Sequence, residues 1–174
     1  HVSIAANKKY TYVLSGWFNT FITRYHAENG LSAAFGDKRF LALDSFGPTP
    51  PQQLSWNSPM PASNSIAVTD EELFVPFHYR GVIRVYDAQT GAFRRELPLE
   101  WPRGIALDEG GNLYALSGRD TNGWHGGPRR IWRFDRAQGK PRPVLTLPGG
   151  LCETPWGIAV RGGRIFVTDN GSSH

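Results

Sequence analysis

Four times along the chain a small residue is followed by Ile and Ala: Ser3-Ile4-Ala5, Ser65-Ile66-Ala67, Gly104-Ile105-Ala106 and Gly157-Ile158-Ala159. Such repetition constrains a fold more tightly than composition does, because every copy must adopt one local structure and stack on its neighbours. A second apolar run follows each opening, at Tyr12-Val13-Leu14, Leu73-Phe74-Val75, Leu113-Tyr114-Ala115-Leu116 and Ile165-Phe166-Val167. A third run ends on an aromatic at Tyr25, Tyr86 and Phe134. A glycine stands five residues later each time, at Gly30, Gly91 and Gly139. The residues between are polar, as a hairpin requires when its glycine takes positive φ. A fourth run is visible at Phe93 to Leu97 and Pro143 to Leu147.

The opening isoleucines lie 62, 39 and 53 residues apart, so the connections vary while the order of runs persists. Four short strands in a unit of about 40 residues or more is the pattern of a β-propeller blade. A helical repeat would show a 3.6-residue period, and none appears. The 20 Gly and 13 Pro are scattered without a period, which suits many tight turns between short strands. The fold class is therefore all-β: blades of four-stranded antiparallel sheet, about three and a half of them. The units run approximately 1–63, 64–102 and 103–155, with 156–174 incomplete. Ile4, Ile66, Ile105 and Ile158 are expected on innermost strands, and Tyr25, Tyr86 and Phe134 on third strands. The long connections, Gly36 to Ser63 and Ser117 to Pro128, are expected outside the blade frame.

These residues resemble the NHL-repeat branch of six-bladed propellers. That unit reads Pro-x-Gly-Ile-Ala-Val-Asp, then Gly-x-Leu-Tyr-Val-Ala-Asp, and later an aromatic-Asp pair. Pro102-Arg103-Gly104-Ile105-Ala106-Leu107-Asp108 and Gly111-Asn112-Leu113-Tyr114-Ala115-Leu116 are similar to it, as is Phe166-Val167-Thr168-Asp169-Asn170. The first unit departs most, lacking the Pro and placing His26 where the Asp would stand. The resemblance implies six blades, and so roughly 240 residues or more at about 40 per blade. The expectation is thus that these 174 residues are part of a larger propeller. Further blades or a protein partner would then cover the open faces. Analogy with bacterial propellers of this type places the chain in the periplasm or outside the cell.

No apolar run approaches the roughly 20 residues of a membrane helix. Cys152 is the single cysteine, which excludes an internal disulfide framework. The net charge of +4 is concentrated late, in Arg129, Arg130, Arg133, Arg136, Lys140 and Arg142, with Asp135 the one acid among them. No nucleic-acid motif accompanies this run. A solvated outer-strand edge, where charge blocks edge-to-edge aggregation, accounts for it.

Propeller ligand sites lie at the axial mouth, in the connections entering and leaving the inner strands. The candidate binding residues there are Trp17, His78, Arg80, Trp101, Arg103, Arg119, Trp124, His125 and Trp156. Trp and Arg are the residue types that anchor interfaces, although a Trp also serves as ordinary packing between blades. The histidines show no zinc spacing, no nucleophile elbow is present, and the carboxylates form no acid–base pairing. The reading is a non-catalytic interaction scaffold without a cofactor, an accessory subunit of a larger extracytoplasmic assembly. The alternative is a lactonase-like hydrolase or lyase holding Ca²⁺ or another divalent cation on its axis. Glu153, Asp169 and Asn170 are the oxygen ligands that a hard cation would take.

Overall fold

A computed structural model describes residues 3–15, 21–43, 65–118, 130–135, 139–148 and 155–169. Its strands form four antiparallel meanders in chain order. Blade 1 holds β1 (Ser3–Ala6), β2 (Tyr10–Ser15), β3 (Phe21–His26) and β4 (Ser32–Ala33), with β5 (Leu41–Ala42) also paired to β3. Blade 2 holds β6 (Ala67–Val68), β7 (Glu72–Phe77), β8 (Val82–Asp87) and β9 (Phe93–Pro98). Blade 3 holds β10 (Pro102–Leu107), β11 (Leu113–Ser117), β12 (Arg130–Phe134) and β13 (Pro141–Thr146). Blade 4 is seen as β14 (Pro155–Arg161) and β15 (Arg164–Asp169). Among the described residues the one helical element is a 3-10 turn, His78–Arg80, and no helix is long and apolar enough to cross a membrane.

The expected strand order is the observed one. Ile4, Ile105 and Ile158 lie on first strands, and Tyr25, Tyr86 and Phe134 on third strands. Ile66 falls one residue ahead of β6. Gly30, Gly91 and Gly139 all take positive φ, at 69°, 71° and 60°. In blades 1, 2 and 3 side chains close the first hairpin at one repeat position, three residues after the Ile. Asn7 Oδ1 accepts the N–H groups of Lys9 and Tyr10, Thr69 Oγ1 those of Glu71 and Glu72, and Asp108 Oδ1 that of Asn112. The Asp of the Ile-Ala-Leu-Asp motif is thus a turn-former.

The structure corrects one expectation. The connection beginning at Gly36 does not lie wholly outside the blade. Leu41 and Ala42 extend the outer edge of blade 1 along β3, and Leu41 and Leu43 are buried in the core. Apolar residues at an otherwise open strand edge lose more by exposure than the chain loses by ordering two residues. Of the described basic residues, Arg142 on the outermost strand β13 and the exposed Lys140 fit the outer-edge reading, whereas Arg130 and Arg133 lie on β12, a strand paired on both sides. Asp135 pairs with both Arg133 and Arg142.

Two apolar layers hold the blades together. Tyr12, Leu14, Ile22, Phe35 and Leu41 of blade 1 meet Ile66, Leu73, Val75, Phe77 and Tyr86 of blade 2. The other face of blade 2, with Phe74, Ile83, Val85 and Leu97, meets Ile105, Leu113, Ala115 and Phe134 of blade 3. Because both faces of a middle blade are buried, β7 is apolar at nearly every position. Polar groups pin the first junction. The Tyr12 hydroxyl donates to the Ala88 carbonyl at 3.0 Å, and buried Arg24 donates to Ala88 and Gln89 carbonyls at 2.7 and 3.0 Å. Burial pushes the Tyr12 hydroxyl pKa upward, and Arg24 partly offsets that.

Candidate functional site

In each of the first three meanders one end carries the tight first and third hairpins. The other carries the connections from second to third strand and from one blade to the next. His78, Arg80, Trp101, Arg103 and Trp156 all belong to this second end, drawn from three successive blades. Trp17, Arg119, Trp124, His125, Glu153 and Asn170 lie outside the described residues.

His78 and Arg80 sit on the 3-10 turn that joins β7 to β8. The His78 ring meets the Trp101 indole edge to face, with centroids 4.8 Å apart at 72°. Its Nδ1 lies 3.3 Å from the Pro102 carbonyl. A carbonyl can only accept, so Nδ1 carries the proton and Nε2 is left as an acceptor. Burial, then the charge of Arg103, lower the His78 pKa to about 4, against a small opposing effect of the Pro102 carbonyl. The imidazole is therefore neutral at physiological pH.

Trp101 is the one non-glycine residue with positive φ among the described residues, at 52°. That conformation is costly for a bulky side chain, roughly 1–3 kcal/mol. Its carbonyl accepts from the Gly118 N–H at 3.4 Å, tying the entry of blade 3 to the end of β11. The sequence carried no signal for this strain, since a Trp before a Pro ordinarily reads as extended chain. Arg103, on β10, places its guanidinium carbon 5.9 Å from the Trp156 ring centroid, within reach of a cation–π contact across the junction of blades 3 and 4. Trp156 is 36% exposed. The structure thus joins four of the sequence candidates in one run of contacts, His78 to Trp101 and Pro102 to Arg103 and Trp156.

Asp169 ends β15 opposite Pro155 and is exposed. Among the described residues no three His, Cys, Asp or Glu side chains are grouped closely enough to hold a metal ion. A cavity that sequence reasoning missed lies at the opposite end, between blades 2 and 3, lined in part by Glu72, Phe74, Arg95, Leu97, Phe134 and Asp135. Hydrogen bonding from Arg95 holds the Glu72 carboxyl below its usual range. Its members come from separate strands of two blades, so no local motif announces it.

No protein-family model matches this sequence, and no curated protein matches it. Solved structures do. Hydrazine synthase of Kuenenia stuttgartiensis superposes with a TM-score of 0.57 at 12% identity, over 90% of this chain and 38% of that one. Glutaminyl cyclase of Myxococcus xanthus gives 0.56 at 15% identity, over 95% and 66%. A chain of a nidogen/laminin complex gives 0.50 at 18% identity, over 97% and 71%. These neighbours are propeller-type folds, and at such identities the likeness concerns fold alone. This chain is an array of β-propeller blades. It spans less than two thirds of the length of the first two neighbours.

The His78 geometry makes stability depend on pH. The folded pKa of about 4 lies below the ordinary 6.5, so the unfolded chain binds the proton first as pH falls. The contribution of neutral His78 is complete above pH 6.5 and is lost by about pH 4, an upper bound of about 3 kcal/mol. Urea titrations between pH 7 and 4 are expected to show this loss in the wild type and a flatter profile in His78→Gln. Parallel profiles for the two proteins would refute it.

Proposed function

We propose that the chain is a non-catalytic propeller scaffold that binds a protein partner at the end carrying His78, Trp101, Arg103 and Trp156. The observation that carries this reading is the contact run through those residues, which gathers two indoles, a guanidinium and a neutral imidazole from three blades. Trp and Arg dominate the binding energy of protein interfaces because they offer large area and several hydrogen bonds at modest entropic cost. Strain at Trp101 supports the reading, since strained backbone clusters where function requires it. The reading includes an accessory-subunit role in a larger assembly and no cofactor. By analogy with bacterial propellers of this type it includes a periplasmic or extracellular setting, while the NHL resemblance implies a ring closed by further blades. The alternative, a lactonase-like enzyme with Ca²⁺ or another divalent cation at Glu153, Asp169 and Asn170, rests on the resemblance and on residue type.

The test uses intrinsic tryptophan fluorescence, because Trp101 and Trp156 both lie at this end. A panel of acidic, neutral and basic peptides serves as the probe. At least one class is expected to bind and shift the emission, with affinity falling about tenfold in Arg103→Ala and in Trp156→Ala. Binding unaffected by both substitutions would refute the site. Stoichiometric divalent metal in the purified protein, with lactone hydrolysis abolished by chelation, would favour the enzyme instead.

A further inference from the structure

The register of the sheets makes each blade comparable with the next, residue by residue. Ala5, Ala67, Ala106 and Ala159 pair with Tyr12, Phe74, Tyr114 and Phe166. These four aromatics therefore occupy one repeat position. Tyr12 reaches blade 2 through its hydroxyl, and Phe74 packs into the layer shared with blade 3. This position faces the following blade. Tyr12 and Phe74 are 0% and 6% exposed, Tyr114 is half-buried, and Phe166 is 56% exposed.

The opening isoleucine faces the other way. Ile66 packs on blade 1 and Ile105 on blade 2, with exposures of 5% and 3%. Ile158 meets blade 3, where its side chain lies 3.2 Å from the place a Cβ on Gly104 would take. Ile4, at the same position in blade 1, is 65% exposed. The third strands repeat the contrast. Tyr25, Tyr86 and Phe134 pair with Thr11, Leu73 and Leu113, and Tyr86 and Phe134 are buried against the preceding blade while Tyr25 is only half-buried. Blade 1 thus exposes the half-junction that blades 2 and 3 use toward a preceding blade. Blade 4 exposes the half that blades 1 and 2 use toward a following one.

We propose that both open faces take one occupant, a blade of this same repeat. In a solution of this chain that blade comes from a second copy, packed head to tail with Ile4 of one molecule against the Phe166 face of the other. The junctions inside the chain show what covers such faces: Tyr12 or Phe74 on one side, and Ile66 or Ile105 with Tyr86 or Phe134 on the other. At the first two junctions a serine also accepts the N–H of the following isoleucine. The Ile66 N–H donates to Ser3 Oγ at 3.0 Å and the Ile105 N–H to Ser65 Oγ at 2.7 Å, each from the preceding blade. Blade 4 carries Gly157 at that position, so the head-to-tail junction rests on the apolar fit alone. The two exposed halves are complementary rather than identical. Association is therefore heterologous, and each molecule offers one head and one tail.

Sedimentation of the wild type and of two surface variants, Ile4→Glu and Phe166→Glu, tests this. Circular dichroism melts check that the variants stay folded, as the exposure of both positions leads us to expect. The wild type is expected to associate with rising concentration. Each variant alone should be monomeric, with association weakened at least tenfold, because it has lost its head or its tail. An equimolar mixture of the two should form a one-to-one dimer and nothing larger, through the intact tail of Ile4→Glu and the intact head of Phe166→Glu. A wild type that stays monomeric at all concentrations would overturn the proposal. So would a single variant that dimerises as well as wild type, since that means face-to-face pairing, or a mixture that fails to pair.

Discussion

Replacing Arg24 by alanine is expected to destabilise the protein by about 2–5 kcal/mol, the largest effect of any polar substitution foreseen. Its side chain is 4% exposed at the junction of blades 1 and 2. It donates to the carbonyls of Ala88 and Gln89 on blade 2, and to that of Ala34 on its own blade. Its guanidinium carbon also stands 4.1 Å from the Tyr10 ring centroid and 4.5 Å from that of Phe35. No carboxylate neutralises it in the hydrogen bonds and ion pairs of the described residues. Main-chain dipoles and aromatic faces hold the charge. Alanine would remove the donor from the Gln89 and Ala34 carbonyls, leave Ala88 to Tyr12 alone and open a cavity between the rings. A buried acceptor without a donor costs about 1–3 kcal/mol. Lysine should recover part of the loss, since it keeps the charge but cannot reach three carbonyls in a planar fork. Methionine should recover only the packing. Urea unfolding of the three variants would show the order Lys, Met, Ala from mildest to most severe. An Arg24→Ala midpoint equal to wild type would mean that the junction does not depend on this cation.

The second large effect is expected at Gly104, where Gly104→Val should cost about 3 kcal/mol and Gly104→Ala less. A Cβ there would lie 2.8 Å from the Trp156 carbonyl oxygen and 3.2 Å from the Ile158 nitrogen. Both are main-chain atoms of β14, so no side chain can swing away, and blade 4 itself must move. Serine occupies the same repeat position in blades 1 and 2, and the Ser65 hydroxyl bridges the gap by accepting from Ile105 and donating to the Arg103 carbonyl. Gly104→Ser should therefore fail as well, because its Cβ meets the same oxygen. Hydrogen exchange localises the effect: faster exchange in β14 and β15, with blades 1 and 2 unchanged. Uniform protection across the chain in Gly104→Val would show that the close approach is not needed.

Most of the blade frame was legible in the sequence, because its signals are local. The Ile-Ala openings, the aromatic closing each third run and the glycine five residues later mark strands and turns that form within one blade. Positive φ at Gly30, Gly91 and Gly139 follows from the hairpins alone. Candidate residues at the connections could be chosen the same way, and four of them do meet. What local signals could not carry was the direction of each face. Ile4 and Ile66 read alike, yet one is bare and one buried, because exposure depends on whether another blade stands opposite. Arg24 reads as a surface cation on a strand and becomes a buried tie, since two of the three carbonyls that hold it come from a turn more than sixty residues away. The neutral state of His78 arises from packing between blades, through burial and the charge of Arg103. Chain connectivity sets strands and turns over short distances, whereas burial, charge and strain are set by neighbours that only folding brings near.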